Sequence, residues 1–189
     1  GFGRTGKMFA MEHWGVTPDL MTFAKGVTSG YQPVGGVMAT PKIYEAFVGG
    51  NDKTFFHGYT YSGHPAAAAA GLANLDILER ENLVQNSAET GAYLRNQLEA
   101  LREHSMVSHI NGTGLMLAIQ LVEDKATGEP LDPNSKKAIR LAEEIEKRGM
   151  LTRTAPFLYL SPPLTLTRNE ADEIVAIIDG ALTAVEQDG

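Results

Sequence analysis

The sequence predicts an α/β protein in two parts, the second of them an α+β domain with helices on one face of a sheet. Two observations predict this. The texture changes at Pro65, from glycine-rich chain with short apolar runs to strongly helical composition. From about residue 103, strand-like runs and helix-like spacings then follow in the order strand, strand, helix, strand, strand, helix. The composition agrees: of 189 residues, 43 % are hydrophobic and 21 % charged, which is globular usage and excludes a disordered or fibrous chain.

In chain order, Leu20-Met21-Thr22-Phe23-Ala24 and Val34-Gly35-Gly36-Val37-Met38-Ala39 read as short buried strands between glycine turns. Residues 66–101 are helical in composition, with Leu72, Leu75 and Leu78, then Leu94, Leu98 and Leu101, at helical spacing. Gly91 and the polar residues 85–87 predict a bend or break there. Residues 107–110 and 115–122 read as two strands around Gly112-Thr113-Gly114, and 123–134 as a polar loop. Ala138, Leu141, Ala142 and Ile145 mark an amphipathic helix that Gly149 ends. Residues 150–154 and 157–160 read as short strands. Thr167-Arg168-Asn169-Glu170 has the form of a capping box. Behind it, Ile174, Ile177, Ile178, Ala181, Leu182 and Val185 form one helix stripe. The domain expectation is an incomplete first part over 1–64, a connecting helical segment over 65–102 and the α+β domain over 103–189.

The formal net charge of −7 gives no global attraction to nucleic acid or to an anionic membrane. With no cysteine, thiolate metal sites, disulfides and cysteine nucleophiles are excluded. No apolar run approaches the roughly 20 residues of a membrane span, and no secretory pattern opens the chain. The expectation is a cytoplasmic protein. The first residue is Gly1, and the glycine loop it opens has no strand in front of it. That predicts a segment of a longer protein.

Three glycine motifs compete for the chemistry. Gly1-x-Gly3-x-x-Gly6 matches a dinucleotide fingerprint, and Gly1-x-x-x-x-Gly6-Lys7 most of a phosphate-binding P-loop. Both need a strand before and a helix after, and Met8 stands where a P-loop has a metal-binding hydroxyl. A tight structural loop is the plainer reading. Lys25 ends an apolar run, with Ala24 and Gly26 beside it. A surface lysine at a strand end is the ordinary case. Small apolar neighbours would also desolvate its amine and suit it to Schiff-base chemistry. His57-Gly58-Tyr59-Thr60-Tyr61-Ser62-Gly63-His64-Pro65 crowds hydrogen-bonding groups ahead of a helix, which suits a phosphate. A loop with satisfied polar groups is the alternative. His57 and His64 lack a third ligand for a metal, and no metal is expected.

Taken together, the blocks in 1–6, Glu12-His13-x-Gly15-Val16-x-Pro18-Asp19, Ala24-Lys25-Gly26, Gly30-Tyr31-x-Pro33 and the loop ending at Pro65 resemble the class III aminotransferases. These are pyridoxal-phosphate enzymes of fold type I, often called ω-transaminases. The resemblance continues through Gly112-x-Gly114-Leu115-Met116 and Ser161-Pro162-Pro163-Leu164, so it covers nearly the whole chain. It implies a truncated fold type I transferase: the end of the large cofactor domain, a connecting helix and the small C-terminal domain. It implies transamination from an amine or amino acid to an oxo acid such as pyruvate, with pyridoxal 5'-phosphate as cofactor and a homodimer as the full-length state.

The resemblance also implies roles by position. Lys25 matches the catalytic lysine that joins the cofactor and later moves the substrate proton. Thr60, with Tyr59 beside it, matches the threonine that binds the cofactor phosphate across the dimer interface. Arg153 matches the mobile arginine that pairs with a substrate carboxylate, a task suited to a bidentate guanidinium; a salt-bridged strand residue is the equal alternative. The family's aspartate for the pyridine nitrogen would fall just before Gly1, so the chain alone is expected to be inactive. Decarboxylation or aminomutation on the same lysine, a non-catalytic segment and a nucleotide-binding module are the competing readings.

Overall fold

The computed structural model describes residues 1–187; Asp188 and Gly189, the end of the expected 103–189 domain, lie outside the described residues. The chain forms two compact units, Gly1–Gly3 with Lys7–Leu83 and Arg4–Gly6 with Val84–Gly189.

In the first unit, strands β1 (Leu20–Ala24) and β2 (Gly35–Ala39) pair antiparallel, with Leu20 opposite Ala39 and Ala24 opposite Gly35. Gly36 faces the Phe23 ring so closely that a Cβ there would stand 2.5 Å from Phe23 Cζ. The Phe23 ring lies edge-on to Phe2 at 6.1 Å, and Phe2 to Phe9 at 5.4 Å. These three rings are the unit's small apolar centre, and Phe2 is buried within it. Leu20 and Val37 remain more than half exposed. Trp14, on a short 3-10 turn over Ala10–Trp14, is 70 % exposed. A short helix α1 (Pro41–Glu45) follows β2.

Helix α2 (Pro65–Arg80) opens with proline at its first position, where a missing N–H costs nothing. The His64 ring caps it, Nδ1 accepting from the Ala67 N–H at 3.3 Å. The helical stretch breaks at Asn82, whose φ is +53°, and not at 85–87 or Gly91. Helix α3 (Leu83–Leu98) runs straight through those positions.

The second unit is a four-stranded antiparallel sheet with α3, α4 (Lys136–Lys147) and α5 (Arg168–Gln187) packed against it. Strand β4 (Met116–Asp124) is central: it pairs with β3 (Val107–Thr113), with β6 (Phe157–Leu160), and further along with the short β5 (Glu129–Pro130). Alternation along β4 puts Leu117, Ile119 and Leu121 into the core. They meet Leu94 and Leu98 of α3, Leu141 and Ile145 of α4, and Ile178 and Leu182 of α5 in one cluster. Burying each such side chain fully is worth about 1.5–3 kcal/mol. The capping box predicted at α5 is formed: Thr167 N–H and Oγ1 both donate to Glu170 at 2.8 Å, and the Glu170 N–H returns to Thr167 Oγ1.

The strand expected over 150–154 is absent. After α4 the chain runs as a loop to β6, because the Thr152 hydroxyl and the Arg153 carbonyl turn back to bond Tyr159 instead of a neighbouring strand. Two close backbone approaches shape the rest of the unit. Gly91 lies against Gly114, where a Cβ would stand 2.2 Å from the carbonyl carbon. Gly114, at φ +55°, in turn leaves room for Thr5 and Gly6.

Candidate active site

Lys25 stands where β1 ends and a 3-10 turn over Lys25–Thr28 begins. Its φ is +49°, the left-handed region that a lysine rarely adopts. Such a conformation costs about 1–3 kcal/mol and persists only where the surroundings over-determine it. They do so here. Gly26 abuts Phe2, where a Cβ would stand 3.2 Å from the ring. Thr28 is buried, and its hydroxyl donates to the Gln32 carbonyl at 2.6 Å. The Gly30 N–H closes on the Lys25 carbonyl at 3.3 Å. From α2, the Asn74 amide donates to the carbonyls of Gly26 at 2.9 Å and Val27 at 3.1 Å. Gly71, one turn earlier on α2, lets the helix approach Val27 and Thr28. The Lys25 side chain itself is exposed, so the described residues do not supply the desolvation its small neighbours predict.

The loop before α2 presents Tyr59 and Thr60 to solvent. It is shaped by a turn in which the Ser62 N–H donates to the Tyr59 carbonyl at 2.9 Å and the Tyr59 N–H to Ser62 Oγ at 3.2 Å. Among the described residues, nothing bonds the Thr60 N–H or hydroxyl. Upstream, the rings of Phe47, Phe55, His57 and Tyr59 run in sequence, 5.5, 5.3 and 5.0 Å apart.

Arg153, in the second unit, lies on the loop into β6. Its guanidinium is exposed and sits 5.9 Å over the Tyr159 ring, a contact worth about 0.5–1 kcal/mol at an exposed site. It makes no ion pair among the described residues, so the alternative of a salt-bridged strand residue is not what the structure shows. Sequence reasoning missed Phe2, Gly71 and Asn74 as supports of the lysine turn. An asparagine inside a helix, three residues after a glycine, was the one signal available for the last two. Among the described residues, no group of three or more His, Asp or Glu side chains is placed to hold a metal ion. No helix among them is long and apolar enough to cross a membrane.

The first unit thus presents a left-handed lysine at the end of β1 and, in the loop ahead of α2, a threonine unbonded among the described residues. Comparison with known proteins gives the class: the chain matches the model for aminotransferase class-III over residues 1–182 and belongs to that family. It is 43 % identical over 191 residues to the diaminobutyrate–2-oxoglutarate transaminase of Halomonas elongata, covering 98 % of this chain and 41 % of that protein. It is 38 % identical over 179 residues to the putrescine–pyruvate aminotransferase of Pseudomonas aeruginosa, covering 94 % of this chain and 39 % of that one. An amine transaminase from an uncultivated Pseudomonas species, solved in its PLP-bound internal aldimine form, superposes with a TM-score of 0.93 at 44 % identity. That match covers 98 % of this chain and 43 % of the other. The chain thus spans about two-fifths of the length of the relatives it matches.

Proposed function

We propose that the protein carrying this chain is a pyridoxal-phosphate-dependent transaminase, moving an amino group from an amine or amino acid to an oxo acid such as pyruvate. The observation that carries the proposal is the left-handed Lys25 at the end of β1, in a chain of the class III family. Backbone strain held at this lysine by contacts from three segments supports the reading.

The residues present fit the cofactor. A primary amine projects, exposed, from the turn that follows β1. Thr60 offers a hydroxyl and a backbone N–H that nothing among the described residues occupies. When bound, the cofactor supplies an electron sink for the substrate carbon that carries the amino group. Lys25 supplies Nζ as the attachment point, then as the acid–base that takes and returns the proton on that carbon. Thr60 donates to the phosphate, with Tyr59 beside it, in a homodimer whose partner completes that subsite. Arg153 pairs in bidentate fashion with the substrate carboxylate. Its backbone is fixed to Tyr159 of β6 while its guanidinium stays exposed, which leaves the charged end free to meet an acid. In this reading residues 1–64 serve the cofactor domain, 65–102 connect, 103–189 form the small domain, and the protein works in the cytoplasm.

The test is borohydride trapping with pyridoxal phosphate followed by peptide mapping. Label on Lys25 is expected; label on another lysine would reject the assignment. Lys25→Ala should lower transaminase turnover by at least ~10²-fold, the lower range for a lost acid–base group.

A further inference from the structure

Every backbone carbonyl in the lysine turn needs a donor, and the backbone supplies all but one. The Ser29 N–H serves Gly26, the Gly30 N–H serves Lys25 and the Tyr31 N–H serves Thr28. The Val27 carbonyl is passed over, on a buried residue where an unpaired acceptor is costly. Asn74 fills the gap. Its Nδ2 donates at 3.1 Å to Val27 and at 2.9 Å to Gly26, across 47 and 48 residues of sequence. Both hydrogens of one planar amide are thereby committed to the two residues directly after Lys25. A planar donor bonded at two points fixes orientation as well as distance.

Phe2 also packs against the turn at Gly26, where a Cβ would stand 3.2 Å from its ring. Gly71 contributes by absence. A Cβ there would stand 3.7 Å from the Val27 carbonyl oxygen and 3.8 Å from Thr28, so the helix face carrying Asn74 seats directly on the turn.

We infer that Asn74 is a positioning residue for Lys25, its amide locking the left-handed backbone that aims the lysine amine. The inference rests on the reading of Lys25 as the cofactor lysine. Asn74 touches neither cofactor nor substrate in this role; it acts through the Gly26 and Val27 carbonyls.

Asn74→Asp is the discriminating variant. It keeps the side chain's size and replaces the donor by a carboxylate facing two carbonyl oxygens, so a space-filling role would survive it. Leu78→Ala, one turn further on α2 and buried, is the control for general loosening of the helix. In the protein reconstituted with pyridoxal phosphate, three quantities are read: the pH midpoint of the cofactor absorbance, the rate of borohydride labelling at Lys25, and the kcat–KM split. Asn74→Asp is expected to shift the midpoint, slow the labelling and lower kcat by about 10²-fold with little change in KM, the scale of a displacement near 1 Å. Leu78→Ala should lower Tm and leave the midpoint in place. If wild type labels Lys25 but Asn74→Asp matches wild type or Leu78→Ala in midpoint and labelling, the positioning role is wrong. If wild type itself fails to label Lys25, the cofactor-lysine reading fails first and the inference falls with it.

Discussion

Arg4 and Leu115 hold each other through reciprocal hydrogen bonds. The Arg4 guanidinium donates to the Leu115 carbonyl at 3.2 Å, and the Leu115 N–H donates back to the Arg4 carbonyl at 3.0 Å. The same guanidinium reaches the Pro162 carbonyl, and Ser87 Oγ donates to the Arg4 carbonyl at 3.1 Å. One residue near the start of the chain thus joins α3, the turn before β4 and the loop before α5.

Replacing Arg4 by Met keeps the length and removes the donors, leaving two carbonyls short of a partner. A loss of about 1–3 kcal/mol is expected for the second unit. Urea unfolding followed by circular dichroism measures it. An unchanged midpoint would mean that water replaces the guanidinium without cost.

The glycines of the second unit separate propensity from packing. Alanine in a helix interior gains about 1 kcal/mol over glycine. At Gly91 the new Cβ would meet Gly114 backbone at 2.2 Å, and overpacking of this kind costs about 1–3 kcal/mol or more. Gly91→Ala should therefore destabilise. At Gly180 the nearest atom, 3.1 Å away, is Nε of the flexible Arg148 side chain. Gly180→Ala should be neutral or stabilising. Thermal melts of the pair that came out in the same direction would refute the steric argument.

His104 predicts a loss of stability toward alkaline pH. Its Nδ1 lies 2.8 Å from Glu186 and its Nε2 3.0 Å from Asp179, both on α5. Two carboxylates accept only, so both ring nitrogens must carry hydrogens. Burial opposes that charge, but the bonds to Glu186 and Asp179 together outweigh it and raise the pKa above the ordinary 6.5. A raised value means the stabilisation is complete below pH 6.5 and is lost as pH climbs through the folded value. Tm of wild type should fall across that range, and His104→Phe should flatten the profile. NMR titration of the ring gives the direct check.

Glu144 predicts the opposite limb. Buried on α4, it accepts from Arg148 and from Lys147 at 2.9 Å, and pairs with Arg140 at 3.0 Å. The Arg148 bond, then the Lys147 bond, depress its pKa from 4.5 to about 2. A depressed value gives stabilisation present above pH 4.5 and lost as pH falls toward 2. Glu144→Gln should weaken the protein at neutral pH and remove that portion of its acid sensitivity, read as a smaller drop in Tm between pH 5 and pH 2. Both contributions, that of His104 and that of Glu144, are fully present between about pH 4.5 and 6.5.

The second unit was the more legible in the sequence. The capping box at Thr167 and the stripe through Ile178 and Leu182 are local patterns, and local patterns survive into the structure. Gly91 misled because glycine in a helix usually marks weakness, whereas here it marks contact with Gly114, a residue distant in sequence. Residues 150–154 misled because their apolar and β-branched content fits a strand, while Thr152 and Arg153 spend their bonds on Tyr159. Lys25 was singled out by its neighbours and by family resemblance. Its backbone strain was not readable, because it is imposed by Phe2 and Asn74 from far along the chain.

Trp14 decides which optical probe can follow unfolding of this chain. It is the chain's one tryptophan, it belongs to the first unit, and its indole is already in water. An indole 70 % exposed changes its surroundings little on unfolding, so tryptophan emission is a weak reporter of either unit's apolar centre. The second unit has its own chromophore in Tyr93, whose hydroxyl donates to Asp172 at 2.7 Å and ties α3 to α5. That bond holds the phenol pKa above 10. Second-derivative tyrosine absorbance would follow its rupture as those two helices part.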